Sequence, residues 1–315
     1  MVFAVLNLTN DLGKEIIDYD IDVAETYARV AFKLITNTGD LDVLSHVLPC
    51  PGKRKLVPDG LLSWAPDWSY HERGRGLYYR LMGVSNRQEL ASFNACHFTT
   101  ASHAKRSSLT SLSLDGFFCD EIAVVGEEIH LDSLAGKGLE VLEGWRSMVK
   151  VDIDPEQPYI SGSTVLDAYW RTLCMDRDFA DCHSRANEQT RTQHDQWWWE
   201  VIRRKFERIS APSTEISTEV LAEPMTIRVI FLTIGRRLFT TKKGYIGLAP
   251  EGAEKGDQVW VLCGGRQPLV LRSRGDLSRQ EYILLGDSYV HGIMDGEFVK
   301  EEMQKRTAPD TVTLI

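Results

Sequence analysis

Asp287, His291 and Asp295 stand four residues apart near the end of the 315-residue chain, a spacing that could hold an imidazole against a carboxylate as a general base. On a strand that even spacing would put all three on one face, whereas Gly292 and Gly296 point to turns. No nucleophile elbow or activated serine accompanies them, so the base would have nothing to activate. Cys174, Cys182 and His183 are of the types that zinc takes, but their spacing is not that of a knuckle and no second Cys-His pair supplies a fourth ligand. No metal and no cofactor is expected, and the thiols are expected to be buried.

Two groups of tryptophans could bind rather than react. Trp64 and Trp68 flank Pro66 and Asp67, which could present two rings and a carboxylate to a ligand. The simpler expectation is that the rings fill a core while Asp67 caps a turn. Trp197, Trp198 and Trp199 are consecutive, and at about 100° per residue they cannot share one face of a helix. At least one should lie near the surface as a contact for a protein partner. Gly244, Gly247, Gly252, Gly256, Gly264 and Gly265 lack the order of a phosphate cradle and are read as hairpin turns with positive φ. Arg203-Arg204-Lys205 and Arg236-Arg237 are read as solvated faces.

The elements that must position these residues follow from periodicity. Asp22 and Glu25 have capping-box spacing, and Val23, Tyr27, Val30, Ala31, Leu34 and Ile35 then recur along one helical face up to a stop at Gly39. Further helices run through Leu166, Tyr169, Trp170 and Leu173, and through Trp197, Val201, Ile202 and Phe206. Leu112 to Val125 reads as strands split by a turn at Asp115-Gly116. Short strands at Tyr245 to Leu248, Gln258 to Leu262, Leu269 to Arg272 and Tyr282 to Leu285 have the punctuation of a small antiparallel barrel.

Composition narrows the function classes. With 43% apolar and 26% charged residues the chain falls in the globular range, and its net charge of -9 repels phosphate backbones, so no nucleic acid is expected as a partner. The apolar stretch from Val229 to Leu238 is broken by Arg236 and Arg237, well short of the roughly 20 residues that span a bilayer. Six scattered cysteines and no signal-type start predict reduced thiols in a cytoplasmic setting.

Three stretches carry a resemblance to a known family. Leu62-Ser63-Trp64-Ala65-Pro66-Asp67-Trp68-Ser69 is similar to its "P-S-W-x-P-D-W-S", and Tyr169-Trp170-Arg171-Thr172-Leu173 with Asp176-Arg177 to its "W-R-T-L-x-x-D-R". A third runs from Arg236 through Gly244-Tyr245-Ile246-Gly247-Leu248-Ala249-Pro250 and Gly264-Gly265-Arg266-Gln267-Pro268 to Gly286-Asp287-Ser288-Tyr289-Val290-His291-Gly292. In order and spacing the chain resembles fungal heterokaryon-incompatibility (HET) proteins downstream of their HET domain. Val2 to Leu8 resembles that domain's closing segment, "V-Y-A-L-L-G-L", so the domain itself is expected to be missing. In the family that domain is related to TIR folds and drives a cell-death response on nonself recognition, and none of its residues carries over.

The expected architecture is α+β: a leading amphipathic helix and a small antiparallel β-barrel-like body with a helical insertion. Residues 1–48 would be a lead-in and 49–315 the HET carboxy-terminal region, β-rich over 58–130, helical over 139–234, a barrel over 236–298 and a tail over 299–315. The expected role is a non-catalytic interaction or regulatory module with a protein partner, tied to nonself recognition or cell death. The alternative is an enzyme or accessory protein of a specialised-metabolite pathway with a small molecule in the barrel. A third reading is a truncated gene product.

Overall fold

A computed structural model describes residues 20–47, 60–68, 93–108, 110–129, 137–178, 184–210, 224–275 and 280–315. Val2 to Leu8 and the pair Cys182-His183 lie outside the described residues. The architecture is α+β. Helices are α1 (Val23–Thr38), α2 (Lys137–Met148), α3 (Val165–Leu173), α4 (Glu188–Ser210), α5 (Pro224–Thr233) and α6 (Glu297–Gln304). Strands are β1 (Lys105–Ser108), β2 (Ser111–Glu128), β3 (Arg236–Thr241), β4 (Ile246–Pro250), β5 (Gln258–Leu262), β6 (Leu269–Ser273), β7 (Glu281–Asp287), β8 (Tyr289–Val290) and β9 (Asp310–Leu314). The chain divides into two compact units, the first Met1–Ala123, Ala249–Ser288 and Ile293–Ile315, the second Val124–Leu248 and Tyr289–Gly292.

In the first unit α1 starts and stops where its sequence signals stand. The Asp22 carboxylate accepts the Glu25 N–H at 2.7 Å, and Gly39 closes the helix at φ 70° with its N–H on the carbonyl of Ile35. Its buried face includes Tyr27, Ala28, Ala31 and Ile35, which join one core with Trp64, Leu112, Leu114, Leu262, Leu271, Leu284 and Leu314.

That core is wrapped by five strands whose pairings return to their start. β2 pairs antiparallel with β5 (Gly116 opposite Leu262), β5 with β6 (Trp260 opposite Leu269) and β6 with β7 (Leu271 opposite Leu284). β7 lies parallel to β9 (Tyr282 opposite Leu314), and β9 pairs antiparallel with β2 (Leu114 opposite Val312). The sheet is therefore mixed rather than purely antiparallel. The stretch 299–315, expected as a tail, contributes α6 and β9. Between β5 and β6, Arg272 holds the buried Asp257 carboxylate with Nε at 2.7 Å and Nη2 at 2.9 Å, while the Glu254 N–H donates to the same carboxylate.

The turn expected at Asp115-Gly116 is not there: β2 is one strand of 18 residues. Gly116 serves close approach, because a Cβ at that position would stand 2.9 Å from the Cα of Leu262 and 3.0 Å from the carbonyl oxygen of Val261. A glycine flanked by a polar residue has the signature of a hairpin turn, and only the neighbouring strand distinguishes the two uses. Gly247 is a second correction, since it sits within β4 where a Cβ would collide with the backbone of Tyr289.

In the second unit β3 lies between the far end of β2 and β4, and β4 pairs antiparallel with β8. Arg236 is buried, not solvated, and Arg237 donates from Nε to the carbonyl of Gly126 at 2.8 Å. The helices α2, α3, α4 and α5 belong to this unit, and the Trp145 indole N–H donates to the carbonyl of Glu127 at 2.8 Å.

Substituting Gly116→Ala is expected to lower stability by roughly 1–3 kcal/mol through overpacking against backbone. Gly144→Ala, in α2 where a Cβ meets nothing within 4 Å, is expected to raise it by about 0.5–1 kcal/mol through helix propensity. Urea unfolding midpoints of the two variants check both signs.

Candidate functional site

α3 ends in a polar lock built from the Trp-Arg-Thr-Leu stretch. Thr164 caps the helix by accepting the Asp167 N–H, and Asp167 then accepts from the Trp170 indole at 3.1 Å and from Arg171 Nε at 3.0 Å. Arg171 Nη1 reaches Asp176 at 2.6 Å and the carbonyl of Ala186 at 2.8 Å, and the guanidinium lies 4.5 Å from the Trp170 ring centroid. Met175 and Asp176 are both left-handed, at φ 51° and 53°, a conformation that costs non-glycine residues energy and is held here by those contacts. Beyond the turn, Asp178 accepts from Asn187 and from Thr190 at 2.7 Å, while Asn187 accepts the N–H groups of Gln189 and Thr190 and so begins α4.

α4 carries the tryptophan triplet, and its three rings meet three environments. Trp197 is buried and donates its indole N–H to Thr226 Oγ1 at 2.9 Å, Trp198 is half-buried with the Arg146 guanidinium 4.9 Å from its ring centroid, and Trp199 is 71% exposed. His194 lies one turn earlier, buried, with ring centroids 6.1 Å from Trp170 and 5.7 Å from Trp197. Burial holds its imidazole below the usual range against the opposing pull of Asp195.

His291 falls just beyond β8, while Asp287 ends β7, buried, and Asp295 is exposed in the turn before α6. Its ring shares a hydrogen bond with the Tyr289 hydroxyl at 3.1 Å rather than with either carboxylate. Tyr159 closes the group, donating its hydroxyl to the His291 carbonyl at 3.0 Å and accepting the Ile246 N–H at 2.9 Å. Burial, joined by the Arg171 and Arg185 charges against that of Asp167, lowers the His291 pKa to about 4, so the imidazole is neutral at pH 7.

The other expected residues have equally clear places. Trp64 is fully buried in the first unit's core, Trp68 packs edge-on against Tyr27 with centroids 5.2 Å apart, and Asp67 is buried. Cys174 is wholly buried and its thiol is pushed up to about 12, the protonated form. Among the described residues no group of three or more His, Cys, Asp or Glu could hold a metal ion. Missing from the sequence expectations is the pair His103 and Asp115, 3.0 Å apart in the first unit, which no short motif announces.

Residues 188–307 match the Het-6 beta-barrel domain. Among curated proteins the chain is similar to Heterokaryon incompatibility protein 6, OR allele, of Neurospora crassa, at 40% identity over 63 residues, which are 20% of this chain and 9% of that relative. The match thus spans under a tenth of the relative's length. Both likenesses support a fungal HET-type family, in its carboxy-terminal region. No solved structure matches the chain.

Two expected outcomes follow from this geometry. The folded unit protonates His291 near 4, whereas the unfolded chain does so near 6.5, so the unfolded state binds more protons between those values. Stability is then full above the unfolded value and declines as pH falls toward the folded one, by on the order of 3 kcal/mol. In His291→Gln, urea midpoints taken from about pH 7 to about pH 4 should show a shallower decline. Arg171→Lys replaces a fork by a point charge and should destabilise by on the order of 2–3 kcal/mol, read from thermal or urea unfolding.

Proposed function

We propose that this chain is a non-catalytic interaction module of a HET-type protein and engages a protein partner through the tryptophan face of α4. The observation that carries the proposal is Trp199, 71% exposed beside two tryptophans that the fold pins. A large ring left in water on a helix whose neighbouring rings are anchored has the character of an interface anchor, preorganised at little entropic cost. The groups with chemical potential elsewhere argue in the same direction: His291 is neutral and engaged by a phenol, and the Cys174 thiol is held protonated.

The five-strand cycle of β2, β5, β6, β7 and β9 is, in this reading, the barrel of the Het-6 domain, extended by β2 and β9 beyond the matched residues. Its interior is occupied by Leu112, Leu114, Leu262, Leu271, Leu284 and Val312, the space that a metabolite bound inside it would require. A role in nonself recognition or cell-death signalling rests on the family alone, since fold does not fix function. A cytoplasmic setting accords with the thiols, and no described helix is long and apolar enough to cross a membrane.

Affinity purification of the tagged chain from fungal cytosol, with mass spectrometry of proteins and small molecules, tests the proposal. A partner retained by the parent chain and lost with Trp199→Ala at an unchanged melting temperature is the expected result. Trp197→Ala should instead destabilise by about 3–5 kcal/mol, because that ring is buried. A retained metabolite with no protein partner would sink the proposal in favour of the pathway-enzyme reading.

A further inference from the structure

A second feature, in the first unit, is independent of the tryptophans. The loop from Phe93 to Ala104 is tied to its surroundings by backbone bonds: Asn94 N–H to Met294 O at 2.8 Å, Ala95 N–H to Arg266 O at 3.1 Å and Ala101 N–H to Gly39 O at 2.8 Å. Held this way, His97 and Phe98 adopt φ 48° and 63°, and the Phe98 N–H donates to Asn94 Oδ1 at 3.0 Å. A left-handed phenylalanine costs roughly 1–2 kcal/mol. The conformation leaves the Phe98 ring 83% exposed at the rim of a cleft of about 300 Å³.

Thr99, Ser102, His103, Asp115 and Cys263 are among the groups lining that cleft. Asp115 projects from the outer face of β2, where Oδ1 accepts from Thr311 Oγ1 at 2.8 Å and Oδ2 meets His103 Nδ1 at 3.0 Å. The Asp115 side chain is 21% exposed and that of His103 is 77% exposed, so solvent can exchange the imidazole but not the carboxylate's position. Cys263 adds no nucleophile: burial raises its thiol pKa, Thr99 opposes this, and the nearby Asp115 charge raises it further. What remains is one fixed carboxylate, hydroxyl groups and an exposed ring face in a chain of net charge -9.

We propose that this cleft is a receptor for a guanidinium or ammonium group carried on an aliphatic stem, with the Asp115 carboxylate as its counter-charge and the Phe98 ring as its wall. A carboxylate oriented by a hydroxyl pairs such a cation with charge-assisted hydrogen bonds, and the ring face adds a cation–π contact. The net charge of -9 favours the approach of cations to the molecule. The stem packs on Ala101, Ala104 and Pro309, which also line the cleft.

Calorimetric titration of the full chain with Nα-acetyl-arginine methylamide, a protein-borne side chain in miniature, and with agmatine, a free amine, tests the site. Saturable binding of either probe is expected, weakened about fivefold or more by Asp115→Asn and reduced by Phe98→Ala. Asn keeps one acceptor, for Thr311, and its amide N–H can donate to an unprotonated His103 Nδ1; Phe98 is exposed, so unchanged melting temperatures separate loss of binding from loss of fold. Binding of the capped arginine alone assigns the site to a protein segment, and binding of agmatine alone to a small metabolite; both support the cation receptor. His103→Ala, which uncovers the carboxylate, should tighten binding. The proposal is overturned by no saturable binding of either probe, by equal binding of the neutral isostere Nα-acetyl-citrulline methylamide, or by loss of binding in His103→Ala.

Discussion

In its first half β2 is hydrogen-bonded on both sides, to β5 across Gly116 and Phe118 and to β9 across Leu112 and Leu114. Buried backbone N–H and C=O groups need partners, and the two pairings, which meet at Gly116, supply them. The other features of the first unit follow from this pairing. Two neighbours bracket residue 116, and the approach of Leu262 leaves room only for glycine. Leu112 and Leu114 are driven inward, which forces Ser113 and Asp115 outward, where they meet Thr313 and Thr311 of β9. Ser63 completes the arrangement: its hydroxyl donates to the Ile315 carbonyl and accepts the Leu284 N–H, joining the Ser-Trp stretch to β7 and β9.

In the second unit ionic contacts organise the end of α3. Arg171 gathers Asp167, Asp176 and the Ala186 carbonyl, so the Trp-Arg-Thr-Leu stretch holds the backbone just beyond α3. Similar economy is visible at Asp257, which joins Arg272 to the loop carrying Glu254. A charge that is paired and partly buried stabilises one backbone geometry over its alternatives.

Burial also decides which groups keep their chemistry. Cys174 and His291 are held neutral by desolvation, the thiol protonated and the imidazole unprotonated, while Trp199 and Phe98 are left in water by a frame that anchors their neighbours. The exposed tryptophan lies in one unit and the exposed phenylalanine in the other.

Local signals determined a good part of this. The limits of α1 were written in Asp22, Glu25 and Gly39, and the strands from Gln258 to Leu285 in their alternation of β-branched residues with glycine turns. Three consecutive tryptophans on one helix require divergent environments. Tertiary structure alone settled the rest, because the facts at issue lie between residues far apart in sequence. Whether Gly116 turns the chain or admits a neighbour depends on Leu262, and whether Asp115 ends a strand or lines a cleft depends on His103 and Thr311. His291 has acid–base potential by type, yet burial, with the Arg171 and Arg185 charges against that of Asp167, lowers its pKa. Periodicity reads which face of an element is apolar; it carries no information on what that face will meet.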